Sequence, residues 1–392
     1  MNETSLIADA IIGFTKETYG GEIIPLHRPV FVANERRYLM NCIDSNFVSS
    51  VGESVIEFEQ QVSKFCGAEH AVATVNGTAA LHAALLVCGV ESGTEVLSQA
   101  LTFVATANAI SYVGAKPVFI DVDKDSMGMS PSALRDWLDS HATLENGKLI
   151  NINTKARITA CIPMHTFGLP LRIDSIASVC RDYGIPLIED TAESLGSWIR
   201  GQHTGMWGDV ATFSFNGNKI ITTGGGGMIV TNNLELAHRA KHLTTTAKKP
   251  HSYEFFHDEL GYNYRLPNLN AALGVAQMEV LPDILKIKGE IAEGYRQLCK
   301  SIGLTFTNGI DGAMPNYWLN SILLKDREQR EDVLRATNSC GVMTRPIWRL
   351  MTELPMYRRC EHDGLENSKW LVDRIINVPS SVPEKEFHKL KL

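Results

Sequence analysis

The chain predicts an α/β fold built on a mostly parallel sheet with an antiparallel part, and three features point to it. From residue 71 onward, short apolar β-branched runs alternate with longer helical patterns, the signature of strand–helix–strand units. The runs "ATFSF" (211–215) and "GMIVT" (227–231) are joined by a glycine-bearing loop too short to hold a crossover helix, so they pair antiparallel. The stretch 269–299, "LNAALGVAQMEVLPDILKIKGEIAEGYRQLC", has helical periodicity with one proline, which suits a long bent or broken helix leading into a second, smaller α+β domain.

Taken in order, "IIPLHRPVFVANERRYL" reads as extended, and residues 1–40 are expected to form an amino-terminal arm. A large domain is expected over 41–270. Its strand candidates are "AVATV" (71–75), "PVFID" (117–121), "RITACIP" (157–163) and "PLIED" (186–190), and helices begin near Thr78, Thr102, Ser130 and Leu171. The smaller domain takes 271–392. There is no internal repeat and no low-complexity segment.

With 392 residues the chain holds enough apolar material for this division. Hydrophobic residues at 44% and charged residues at 21% match ordinary globular domains, which argues against a disordered or fibrous chain. A net charge of -7 supplies no basic stripe for nucleic acid or a membrane surface. The eight cysteines contain no C-x-x-C pair and read as free thiols in a reducing compartment. The amino terminus lacks the basic and apolar regions of a signal peptide, and no run reaches the length of a membrane span, so a cytoplasmic protein is expected.

Three local patterns carry candidate chemistry. The run 71–75 ends in Asn76-Gly77-Thr78, and an apolar helix begins at once. Free N–H groups and the positive dipole end at such a start favour an anion, above all a phosphate, while a helix cap without ligand is the plain alternative. Glu189 and Asp190 close a buried strand at the carboxyl edge, where open α/β sheets bind ligands. A carboxylate buried there needs a cation or strong donor, such as a pyridinium nitrogen, unless Asp190 merely caps a helix. Glu193 either completes a capping box or faces the same ligand.

The third pattern, "FSFNGNKIITTGGGG", sets Lys219 beside Ile220, Ile221 and glycine backbone. Crowding of this kind desolvates an amine and makes it a nucleophile, whereas most lysines are surface charges. Ser214 and Asn218 supply donors suited to phosphate oxygens. The glycine run fits neither the dinucleotide fingerprint nor the P-loop.

The motifs "NGTAAL", "LTFVATANAISYVGAKPVFIDVD", "PMHTFGLP", "IEDTAESLGS", "FSFNGNKIITTGGGGM" and "GYNYRLPNLNAALGVAQ" occur in this order. From about residue 24 to "NVPSSV" the chain resembles the nucleotide-sugar aminotransferases of the DegT–StrS family, which are fold-type I enzymes dependent on pyridoxal 5'-phosphate (PLP). That resemblance implies roles for individual residues. Lys219 matches the catalytic lysine that bonds to the cofactor and moves protons. Asp190 matches the acid at the pyridine nitrogen, and Glu193 falls near the ring hydroxyl. Gly77, Thr78 and Ser214 match phosphate ligands, and Phe103 the aromatic stacked on the ring. Asn263, in "GYNYR", resembles an asparagine given to the phosphate by the neighbouring subunit, which implies a homodimer with shared sites. His165 lies in a motif lining the substrate side, although a histidine after a strand is also a common structural hydrogen-bonder. Arg345 and Arg349 are candidates for the nucleotide diphosphate. No metal is expected.

Many relatives have Gly-Glu-Gly-Gly where this chain has Gly224 to Gly227. With "MTRPIWRLMTELPMY" (343–357), this makes the chain similar to the branch that aminates C4 of UDP-linked 4-keto N-acetylated sugars with L-glutamate as donor. A C3-specific enzyme, or one acting on GDP- or dTDP-sugars, is the alternative. A sugar dehydratase of the same fold would carry histidine in place of Lys219, and a nicotinamide oxidoreductase would need the missing G-x-G-x-x-G. A non-catalytic protein on this scaffold would have no use for an intact lysine, acid and phosphate turn.

Overall fold

The computed structural model describes residues 3–390. Its main sheet runs in the spatial order His70–Thr74, Gly227–Thr231, Val210–Ser214, Ile188–Asp190, Ile158–Ile162, Glu95–Gln99, Lys116–Ile120. Parallel bridges at Cys161–Leu187 and Met164–Asp190 join its two halves. Gly227–Thr231 is the antiparallel member, pairing on one side with His70–Thr74 and on the other with Val210–Ser214. The apolar, β-branched composition of these strands suits a sheet covered on both faces, and most of their residues are buried.

This topology places chemistry at one edge. Thr74, Asp190 and Ser214 close strands that run the same way, and both Thr74 and Ser214 pair with Gly227. The loops leaving those strands therefore meet over the carboxyl edge. Close approach there explains the glycines. A Cβ at Gly227 would lie 2.4 Å from the Asn76 carbonyl oxygen, one at Gly226 would lie 2.2 Å from Thr223 Oγ1, and Gly224 has φ +80. At Gly225 a Cβ would meet nothing nearer than 3.8 Å, so packing does not demand glycine at that position.

The helices Gly77–Val87, Val104–Tyr112, Pro131–His141 and Ile173–Tyr183 start within two residues of their expected positions. The strand Glu95–Gln99 has no counterpart in the sequence reading, because Glu95, Ser98 and Gln99 hide its apolar character. All three side chains are buried, and their partners explain how. Gln99 donates to the Leu101 carbonyl (2.8 Å) and accepts from the N–H groups of Met129 (2.9 Å) and Met164 (3.1 Å). One amide thus satisfies three backbone groups beneath the carboxyl edge.

Asn268–Ser301 is a single long helix that continues through Pro282, so of the bent or broken helix expected there the broken form does not occur. Beyond it lies a small antiparallel sheet in the order Thr305–Phe306, Asn320–Leu323, Ile375–Val378, Arg345–Pro346. The amino-terminal segment differs from the expected arm, because Glu3–Tyr19 forms a helix ahead of the extended stretch. Ile7, Ile11 and Phe14 recur at helical spacing on its inner side. Phe14 packs so closely on Gly294 that a Cβ there would lie 2.7 Å from the ring.

Candidate active site

A cavity of ≈ 320 Å³ opens over the carboxyl edge of the main sheet, and Gly77, Thr78, Phe103, Asp190, Ser214 and Lys219 all line it. A larger groove of ≈ 700 Å³ lies between residues 38–57 and the helix Asn268–Ser301, but none of the residues with expected chemistry line it. We therefore place the site in the smaller cavity, where charged and polar groups converge.

One wall is the start of the helix Gly77–Val87. Asn76 caps it, its side chain accepting from the Ala79 N–H at 2.8 Å. The first-turn N–H groups of Gly77 and Thr78 precede any intrahelical acceptor and remain available to a ligand. Gly77 is required by the approach of the neighbouring strand, since a Cβ there would sit 2.8 Å from Ser214 Cβ and 3.1 Å from its Oγ. The result is a cradle of two backbone donors, a hydroxyl and a dipole end, which fits a phosphate.

The floor is acidic. Asp190 is 2% exposed; its Oδ2 accepts from Thr106 Oγ1 at 2.7 Å and its Oδ1 from the Ala192 N–H at 3.1 Å. Burial pushes its carboxyl above the ordinary range, against the pull of those two donors. No cation lies within 4 Å of it among the described residues, so a protonated ring nitrogen is the kind of partner it lacks. Glu193 is also buried, and burial raises its carboxyl to about 7, with Lys219 and the Phe167 N–H opposing. Its Oε2 accepts from the Phe167 N–H at 2.9 Å. Phe167 adopts φ 58, an uncommon conformation for a residue with a Cβ, and this turn aims the N–H at Glu193.

The amine of Lys219 donates to Glu193 Oε1 at 3.1 Å and lies 4.1 Å from the centre of the Trp318 ring. Its side chain is 12% exposed, well short of a surface lysine. Phe103 is half exposed and faces the cavity rather than the core, with Trp348 6.2 Å away, centroid to centroid. An open aromatic face beside a phosphate cradle and a buried acid fits a flat, phosphorylated, cationic heterocycle such as PLP.

Other expected residues lie elsewhere. His165 is wholly buried and does not line the cavity; its Nε2 meets Glu189 Oε2 at 3.1 Å, and its Nδ1 accepts from the Leu171 N–H at 3.2 Å. Both ring nitrogens are thus engaged in structural bonds, and the ring sits behind the site. Glu189 accepts further from the N–H groups of Gly205, Trp207 and Gly208. Arg345 is exposed and donates to Asn338 Oδ1 and the Thr344 carbonyl, while Arg349 is exposed one residue past Trp348; neither reaches the cavity of its own chain. Asn263 is exposed at an isolated bridge with Thr245, also outside that cavity. Thr106, which bonds to Asp190, and Trp318, whose ring faces Lys219, also line the cavity and gave no signal in the sequence.

The whole arrangement has known counterparts. Residues 30–386 match the model of the DegT/DnrJ/EryC1/StrS aminotransferase family. The chain belongs to this family. Its members use PLP, the group that the cradle and the buried acid fit. The chain is similar to the GDP-perosamine synthase of Escherichia coli O157:H7, at 35% identity covering 91% of this chain and 93% of the relative. It is also similar to the GDP-perosamine synthase of Vibrio cholerae, at 36% identity covering 91% and 94%. Among solved structures, a family aminotransferase from Brucella abortus superposes with a TM-score of 0.81 at 26% identity, over 91% of this chain and 93% of that one. Among the described residues no helix is long and apolar enough to cross a membrane.

Proposed function

We propose that this aminotransferase moves the amino group of L-glutamate to the C4 ketone of a nucleotide-linked sugar, using PLP held in the 320 Å³ cavity. The observation that carries the reading is the convergence of a buried Asp190, a phosphate cradle at Gly77 and Ser214, and the Lys219 amine in one cavity. Gly77, Thr78 and Ser214 would hold the phosphate, Asp190 the ring nitrogen, Glu193 the ring hydroxyl and Phe103 the ring face. When bound, PLP supplies an electron sink for the carbon that gains or loses a proton.

The chain's own residues supply the rest. Asp190, buried and with no cation within 4 Å among the described residues, favours a protonated partner nitrogen and so would maintain that sink. Lys219 donates from Nζ to Glu193 Oε1 and, on this reading, would move the proton at the reacting carbon. Positioned transfer of this kind contributes on the order of 10² to 10⁴ in rate. L-glutamate leaves as the 2-oxo acid before the keto sugar enters, because one small cavity serves both. Asn263 is assigned to the site of the partner subunit in a homodimer, which accounts for its exposure on its own chain.

For the nucleotide we favour GDP, since both GDP-perosamine synthases match over nine-tenths of the chain. The UDP-linked N-acetylated sugar is the second reading, supported by the likeness of residues 343–357 to that branch. The absent glutamate at Gly225 supports it less than the sequence implied, because Gly225 does not line the cavity of its own chain. Incubation with L-glutamate and matched GDP-, UDP- and dTDP-linked 3-keto and 4-keto sugars, with 2-oxoglutarate as readout, tests the assignment. Turnover highest with a GDP-linked 4-keto sugar is expected, and turnover with none of them would refute the proposal.

A further inference from the structure

Trp318 stands 4% exposed at the junction of the cavity and the small antiparallel sheet. Three of its polar groups are fixed. Its backbone N–H donates to Asn316 Oδ1 at 2.8 Å, and Asn316 in turn donates from Nδ2 to the carbonyls of Glu193 and Leu195. Its backbone carbonyl accepts from Lys288 Nζ at 3.2 Å. Its indole Nε1–H donates to the carbonyl of Asn218, the residue before Lys219, at 2.7 Å.

Lys288 is a buried amine on the helix Asn268–Ser301, 1% exposed, which also donates to the Ser380 carbonyl at 2.5 Å and lies 3.2 Å from His27 Nε2. Desolvation pushes this amine down to about 7. With no carboxylate partner among the described residues, an amine held inside the protein is costly unless backbone acceptors hold it, and here those acceptors include Trp318 itself. The indole is therefore braced from behind as well as from its edge.

The face of the braced ring meets the Lys219 ammonium at 4.1 Å, opposite Glu193 Oε1 at 3.1 Å. Trp is the best of the aromatic faces for a cation, and the attraction grows as water is excluded. We propose that Trp318 is a positioning residue for Lys219: its face seats the ammonium, its N–H pins the backbone at Asn218, and Lys288 anchors it. The proposal rests on reading Lys219 as the amine that bonds to the cofactor. It links residues carried by Asn268–Ser301 and the segment 316–318 to the geometry of the reactive nitrogen.

The test measures Lys219 without turnover. Wild type, Trp318→Phe, Trp318→Leu and Lys288→Met are prepared as full chains, and unfolding temperatures confirm that each is folded. Trace isotope-coded acetic anhydride labels the ligand-free proteins, and mass spectrometry gives the rate at Lys219 relative to the exposed Lys148. Losing the indole should speed labelling of Lys219 in Trp318→Leu by about five- to thirty-fold, with Lys288→Met moving in the same direction. Trp318→Phe separates the two contributions: a rate near wild type assigns the effect to the face, and one near that of Leu assigns it to the N–H. A Lys219 rate within about twofold of wild type in Trp318→Leu, or a uniform rise at all lysines, would overturn the proposal. Borohydride reduction of the PLP-loaded wild type, followed by peptide mapping, checks the underlying reading separately: attachment at a lysine other than Lys219 would defeat that reading.

Discussion

Glu193→Gln should change how the ligand-free protein responds to pH, because burial holds this carboxyl at about 7 against an ordinary 4.5. A carboxyl raised on folding contributes stability that is fully present below its unfolded value and is lost as pH rises through its folded value. For Glu193 that window runs from 4.5 to about 7. At about 1.4 kcal/mol per pH unit, the interval corresponds to roughly 3 kcal/mol. Glutamine has no such titration. It also mismatches either Lys219 or the Phe167 N–H, but that cost is independent of pH and cancels when pH values are compared. Urea unfolding of both proteins at about pH 5 and about pH 8 should therefore show the variant gaining on wild type by roughly 2–3 kcal/mol at the higher pH. A difference that stays constant between the two pH values would show that folding does not raise the Glu193 carboxyl. A wild type that gains on the variant would show that Lys219 stabilises the ionised form by more than burial penalises it.

Three further perturbations address the site. Gly77→Ala places a Cβ 2.8 Å from Ser214 Cβ, so the cradle must open; PLP affinity, followed by absorbance titration, should fall about tenfold or more, and unchanged affinity would remove Gly77 from the cradle. His165→Ala withdraws one of the donors of buried Glu189 and should lower stability by about 1–3 kcal/mol with little change in the KM for the keto sugar; a raised KM at unchanged stability would return His165 to a substrate role. If Asn263 completes the site of a partner subunit as proposed, mixing Lys219→Ala with Asn263→Ala should restore part of the activity, because a hybrid dimer would contain one intact site. With subunit exchange verified and Asn263→Ala itself impaired, no recovery would place Asn263 outside the shared site.

Much of the site was legible because its residues sit at strand ends. Gly77, Asp190 and Ser214 each follow an apolar run, and strands that run the same way, paired directly or across the one antiparallel strand Gly227–Thr231, bring such ends to one edge wherever the intervening helices place them. Lys219 was legible from order rather than from its own surroundings, since Glu193 and Trp318, which hold it, lie 26 and 99 residues away in the chain. Thr106 and Trp318 gave no local signal for the same reason: their roles arise only when distant segments pack. His165, Arg345 and Arg349 show the converse. A polar residue near a motif carries no record of where its side chain points, and the structure turns these three away from the cavity of their own chain. The strand Glu95–Gln99 was hidden because a fully buried strand can hold glutamine where the amide satisfies backbone groups, a condition that hydrophobic patterning does not detect.

The proposed reaction requires that PLP bond to Lys219 and that L-glutamate supply the amino group. Its most direct measurement is the near-visible absorption of the PLP-loaded protein before and after L-glutamate, with Lys219→Ala alongside. The loaded wild type should show a band that L-glutamate bleaches with release of one equivalent of 2-oxoglutarate per site, and Lys219→Ala should not form that band. A protein that takes up no PLP, or a Lys219→Ala variant that forms the same band and responds to L-glutamate as wild type does, would contradict it.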